Sequence, residues 1–270
     1  MLNKTIEIWE PGTYPGKGED GFTPKMVTYI LDGQKTRGAV LVLPGGGYSI
    51  TSPREAEPIA LKFNAAGYHA FVLYYSCAPR RHPQPLQDVT RAMCIIRENA
   101  QEWNLDPDKI AVCGFSAGGH LTASIGVHFD KPYLKNVPGY KEGINRPNAL
   151  ILCYPVITSG EFAHKGSFKN LLGENAPAEL LAEMSLENHV SENTPPSFIW
   201  HTFEDRGVPV ENSMLFASKL REKNIPFELH IFPEGGHGLS LATKEVCPET
   251  YPHVAKWIDL CIEWLDSLFA

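Results

Sequence analysis

No Cys-x-x-Cys pair occurs in this sequence. Its six cysteines stand far apart at 77, 94, 113, 153, 247 and 261, which excludes the local spacing of a metal clamp or a dithiol redox couple. A chain of 270 residues buries enough apolar surface to fold without disulfides, so the thiols read as small, reduced, buried side chains. A dense run of Lys or Arg is missing too. The 24 basic against 31 acidic residues give a net charge of −7, and nothing gathers enough positive charge to neutralise several phosphates on one face, so nucleic acid is not an expected partner. No apolar run approaches the roughly 20 residues that span a bilayer. The first residues, Met1-Leu2-Asn3-Lys4-Thr5-Ile6-Glu7, have no apolar stretch ahead of a small-residue cleavage site. A cytoplasmic protein without membrane contact is expected.

What is present is the composition of an ordinary globular protein, 43% hydrophobic and 20% charged, without repeats, and a single domain is expected. Short β-branched apolar runs alternate with longer segments of helical period, the pattern of a mostly parallel sheet wrapped in helices. Strands are predicted at 5–9, 26–31, 39–43, 70–75, 110–114, 150–154, 198–201 and 227–232. The first two, joined by a Gly- and Pro-rich turn region at 11–21, are expected to form an antiparallel edge. The last alternates Glu228 and His230 with apolar residues, a half-exposed strand near the sheet edge that either pairs across a homodimer or is covered by the last helix. Helices are predicted from about 53, over 86–103 with Asn104 as a left-handed cap, over 117–127, and at the C-terminal end through Val254, Trp257, Ile258, Cys261, Leu265 and Leu268. Residues 155–196 show no strong strand pattern and are too long for a plain connection, so they read as a partial cap of short helices.

The chemistry concentrates at Gly114-Phe115-Ser116-Ala117-Gly118. A serine hydroxyl is a weak nucleophile at neutral pH and needs both a neighbouring base and exposure at the top of a sharp turn. The two glycines let the chain reverse tightly from strand into helix, with Ser116 at the apex. The apolar run before this pentapeptide and the Ala-rich helix after it supply that strand–turn–helix setting.

On these residues the sequence resembles the α/β-hydrolase serine esterases, in particular the acetyl esterase and carboxylesterase branch acting on acylated sugars and related esters. The likeness extends over nearly the whole chain. It rests on Leu43-Pro44-Gly45-Gly46-Gly47-Tyr48, Asp106-Pro107-Asp108-Lys109-Ile110, Gly114 to Leu121, Glu204-Asp205-Arg206-Gly207-Val208-Pro209 and Pro233-Glu234-Gly235-Gly236-His237-Gly238. The resemblance implies an α/β-hydrolase fold and a triad in the order Ser, acid, His, with the His on the loop after the last strand.

His237, among ten histidines, satisfies that order, and its Gly-rich loop leaves the backbone free to bring it to Ser116. The acid belongs just beyond the strand at 198–201, where it fixes the imidazole tautomer and stabilises the imidazolium. Asp205 and Glu204 both qualify, and Asp205 matches the family's Asp-x-x-Val-Pro arrangement. The oxyanion donors are expected from the amides of Gly46, Gly47 and Ala117, where losing one donor typically costs about 2.7–4 kcal/mol. A dinucleotide loop would need Gly or Ala at Ile50, and a phosphate-binding P-loop would need Gly-Lys-Ser/Thr; neither pattern is met. The family's usual His at the start of this loop is Pro44 here, so its bracing must come from elsewhere.

Tyr48, Phe115 and Phe203 adjoin these residues and are candidate substrate-pocket walls. His120 is expected to make a packing or helix contact. Asp88, Asp106 and Asp108 read as helix- and turn-starting residues, and Trp103, Trp257 and Trp264 as core. The expected activity is hydrolysis of a small-molecule ester carrying a small acyl group, by resemblance acetyl on a sugar alcohol or xylooligosaccharide. It would proceed through an acyl-enzyme, without a metal or organic cofactor. An amide-cleaving hydrolase of the arylformamidase or small-peptidase kind, and a non-catalytic binding protein on the same fold, are the alternatives.

Overall fold

Successive residues of a strand face opposite sides of a sheet, and the central strands here are apolar on both. In β3 (Arg37–Leu43), Ala39, Leu41 and Leu43 enter one core cluster while Val40 and Val42 enter another. A strand buried on both faces needs a helical layer on each. The computed structural model, which describes residues 1–270 except 17 and 19, has that arrangement. Those two positions fall within the turn region expected at 11–21 and lie outside the described residues.

Eight strands form one sheet in the order β1-β2-β4-β3-β5-β6-β7-β8. The other seven are β1 (Thr5–Glu7), β2 (Lys25–Tyr29), β4 (His69–Tyr74), β5 (Leu105–Phe115), β6 (Ala149–Cys153), β7 (Ser197–Thr202) and β8 (Phe227–Phe232). The β1–β2 and β2–β4 pairs are antiparallel and every later pair is parallel, so the antiparallel edge is where the sequence puts it. Helix α1 (Glu57–Ala65) packs on one face, together with α7 (Trp257–Leu268), through Phe63, Trp257 and Cys261. On the other face lie α2 (Gln84–Glu98) and α3 (Ala117–His128), and α6 (Glu211–Glu222) covers β6 and β7 through Phe216 and Leu220. All six cysteines are free, and five are buried.

Three local expectations are corrected. The helix over 86–103 stops at Glu98, and Trp103 reaches the core from the turn that follows; Asn104 then takes the expected left-handed conformation (φ 51°). The strand at 110–114 begins five residues earlier, at Leu105, and Asp106 and Asp108 occupy a register shift against β3, with the Asp106 carboxylate accepting from the Asp108 amide at 3.0 Å. Asp88 caps nothing. It is fully buried within α2 and accepts from the Trp9 indole (2.8 Å), the Ser76 amide (2.9 Å) and the Gln84 amide group (3.1 Å), tying the N-terminal segment to the sheet. Burial, only partly offset by these bonds, pushes its carboxyl up to about 6.

Residues 155–196 contain two short helices, α4 (Lys165–Leu172) and α5 (Ala178–Glu183). They stand over the carboxyl ends of the parallel strands, the end at which open α/β sheets bind ligands. No helix among the described residues is long and apolar enough to cross a membrane.

Candidate active site

Strand β5 sits fourth from the β8 edge, and the chain leaves it through Ser116 directly into α3. Ser116 takes φ 53° and ψ −116°, a region that L-residues rarely adopt and that persists only where the surroundings enforce it. They do so by close approach. A Cβ on Gly114 would lie 2.1 Å from the Gly118 carbonyl, and one on Gly118 would lie 2.1 Å from that of Leu43. The two glycines are therefore required by packing of the turn against itself and against the end of β3.

At the apex, Ser116 Oγ lies 2.7 Å from His237 Nε2, and His237 Nδ1 lies 2.6 Å from Asp205 Oδ2. A carboxylate only accepts, so His237 donates from Nδ1 and its Nε2 lone pair accepts the serine proton. Burial would raise the Asp205 pKa, but hydrogen bonds from His201 and His237 and from the Val208 amide outweigh it and hold the carboxyl well below its usual range. Oδ1 accepts from the Gly207 and Val208 amides, both at 2.9 Å. Glu204 is not brought to the imidazole: its carboxylate accepts from the Gly235 amide at 3.0 Å and braces the loop that carries His237.

Facing the serine, Gly46 (φ 134°) and Gly47 (φ 63°) turn the loop after β3. A Cβ on Gly46 would lie 2.3 Å from the Ile50 carbonyl. Among the described residues, the amides of Gly46, Gly47 and Ala117 donate to no backbone or side-chain acceptor. Ala117 also opens α3, so its amide adds the positive end of a helix dipole to any anion held there.

The three candidate pocket aromatics part company. Tyr48 is buried, and its hydroxyl meets His120 Nδ1 at 2.8 Å while His120 Nε2 meets the Met184 carbonyl at 3.0 Å. His120 thus makes the helix contact expected of it, between the glycine loop and the 155–196 insertion. Burial lowers it to about 4 and keeps it neutral. Phe115 is wholly buried against Tyr154 and Trp257 beneath the sheet and has no surface to offer a ligand. Phe203 is 73% exposed and does not line the cavity shared by Arg54, His237 and Tyr251.

Sequence reading missed three residues. His201 is buried and shares its Nε2 between Asp205 Oδ2 (3.2 Å) and the Val208 carbonyl (2.9 Å), with Ser213 of α6 on its Nδ1 (2.8 Å). Glu55 is buried below the glycine loop, accepting from the Gly45 amide at 2.8 Å and from the Tyr154 hydroxyl at 2.6 Å; burial raises its pKa against the pull of those bonds. Tyr154 in turn accepts from the Ser240 amide (2.8 Å), and its ring meets that of His237 edge-on. Together these bonds brace the loop that begins with Pro44. A carboxylate near Pro53 reads, from sequence, as a first-turn acid of a helix, which is why Glu55 gave no separate signal.

Strand order, turn and juxtaposed Ser, His and Asp are those of an α/β-hydrolase. The chain belongs to the BD-FAE family, whose model matches residues 29–220, and with it to the acetyl esterase branch of the serine carboxylic ester hydrolases. It is 44% identical to an acetyl ester-xyloside bifunctional hydrolase from Caldicellulosiruptor lactoaceticus, over 98% of this chain and 96% of that one, with a TM-score of 0.90. It is 45% identical over 242 residues to endo-1,4-beta-xylanase B of Butyrivibrio fibrisolvens (88% of this chain, 38% of that protein). It is 34% identical over 249 residues to the acetylxylan esterase of Xylanibacter ruminicola (90% and 49%). The chain therefore spans half or less of the length of these two curated relatives.

Proposed function

We propose that the chain hydrolyses small-acyl esters, acetyl foremost, of carbohydrate alcohols through a Ser116–His237–Asp205 triad. The observation that carries this reading is the continuous hydrogen-bonded line from Ser116 Oγ through His237 to Asp205, at 2.7 and 2.6 Å. In the first step His237 takes the serine proton as Ser116 attacks the ester carbonyl. Charge on the carbonyl oxygen is met by the amides of Gly46, Gly47 and Ala117. His237 then passes the proton to the departing alcohol. Water, deprotonated by the same imidazole, cleaves the acyl-enzyme and restores the serine.

Restriction to short acyl groups is supported by the relatives named for acetylxylan and acetyl ester-xyloside hydrolysis. The carbohydrate alcohol is supported by the same two relatives. Ser116→Ala should lower kcat on p-nitrophenyl acetate by at least about 10⁴-fold. A series of p-nitrophenyl esters from acetate to decanoate, with acetylated xylooligosaccharides beside it, should show its best kcat/KM at acetate. Retained activity in the alanine variant moves the nucleophile elsewhere, and a preference for decanoate overturns the acyl assignment.

A further inference from the structure

An ester has two halves, and the acid that protonates the leaving oxygen must be within reach of the alcohol half. The imidazole of His237 keeps 28% of its side-chain surface open, and a cavity of about 500 Å³ borders it, lined also by Arg54, Leu239, Cys247, Glu249 and Tyr251. Such a volume lies within the range of small-ligand sites. The site is thus roomy beside His237.

The wall of this cavity is built and fastened. Arg54 donates to the carbonyls of Gly238 (3.1 Å) and Val246 (2.9 Å). The Cys247 thiol reaches the Leu239 carbonyl at 2.9 Å, and the Tyr251 amide donates to Ala242 at 3.1 Å. The segment 242–251 is held against the loop of His237 by these bonds, and it presents one polar pair: the Tyr251 hydroxyl donates to Glu249 Oε2 at 2.6 Å. Glu249 Oε1 is left to accept, and Tyr251, partly exposed, lines the cavity beside it. A flat ring beside an acceptor-only carboxylate suits a neutral polyol, whose C–H face lies on the ring while its hydroxyls donate to the oxygens.

We propose that this cavity is the subsite for the alcohol half of the substrate, a neutral oligosaccharide, with Tyr251 as stacking platform and Glu249 as hydroxyl acceptor. The inference rests on the ester-hydrolase reading above and adds to it the place and chemistry of leaving-group recognition. Isothermal titration calorimetry with unacetylated xylotriose, together with kcat/KM on acetylated xylotriose relative to p-nitrophenyl acetate, tests it. Tyr251→Ala should weaken xylotriose binding and lower that selectivity ratio by about tenfold, the order expected for losing one ring contact. Tyr251→Phe and Glu249→Gln should lower both less. Because Glu249 is exposed, Glu249→Gln keeps the test alive even if the alanine variant fails to fold. An unchanged ratio with unchanged binding overturns the subsite. So does wild-type protein that turns over p-nitrophenyl acetate yet does not bind xylotriose, an outcome that leaves the esterase reading standing. Binding that is lost in the variants, in a protein with no ester turnover at all, overturns the leaving-group role together with the esterase reading and leaves an oligosaccharide-binding cavity.

Discussion

The floor and the rim of the site are built on different terms. Below the serine, Glu55 and Tyr154 are buried and accept from the Gly45 and Ser240 amides of the glycine loop and the His loop, while Asp205 and His201 are buried and bonded to each other. At the rim, Phe203, Glu249 and Tyr251 stand in or near solvent and are held mainly by the backbone beneath them. A buried polar group that loses its partner incurs its full desolvation penalty, whereas an exposed one turns to water. Geometry for the reaction is therefore set in the floor, and substrate choice is free to change at the rim.

Breaking the floor should cost most. Asp205→Asn keeps the shape but supports the wrong His237 tautomer, and kcat on p-nitrophenyl acetate should drop by about 10⁴-fold. Glu55→Ala leaves the Gly45 amide and the Tyr154 hydroxyl without their buried acceptor. It should lower kcat by about 10²-fold through a displaced glycine loop and unfolding free energy by about 1–3 kcal/mol, read from kinetics and urea titration.

His201→Leu sharpens the comparison through pH. The Asp205 pKa is lower in the folded protein than its unfolded value of about 4, so its contribution to stability is complete above that pH. It fades as pH falls through the folded pKa. The variant should be less stable than wild type at pH 7, and the gap in urea midpoint should narrow below about pH 4; a gap that widens on acidification contradicts the assignment. The smallest effect belongs to the rim: Phe203→Ser should change unfolding free energy by no more than about 0.5 kcal/mol.

The same division decides what could be read from sequence. The meeting of Ser116 with His237 was legible because Gly-x-Ser-x-Gly and the Gly-flanked His237 are shapes of backbone, and a backbone that must turn tightly leaves its glycines in the text. Alternation of β-branched runs and helical periods likewise exposed the sheet, its antiparallel edge and most helices. Side chains that act at a distance left no such trace. Glu55 and Asp88 each stand near the start of a helix, where an acid serves as an ordinary first-turn residue, and only the fold brings the Gly45 amide to one and the Trp9 indole to the other. Phe115 misled by adjacency: the residue before the nucleophile ends a strand, and its side chain points to the face away from the site.

The loop that carries His237 has no regular structure, yet the Ser240 amide within it donates to a buried tyrosine hydroxyl. Ser240 also donates through its hydroxyl to the Arg54 carbonyl at 2.6 Å and accepts from the Trp257 indole at 2.9 Å. An amide so enclosed trades its proton with solvent only when the loop opens. Its deuterium uptake is thus a clock on the placement of His237, readable without substrate: slow while the imidazole is held over the serine, fast once the strap through Tyr154 is cut.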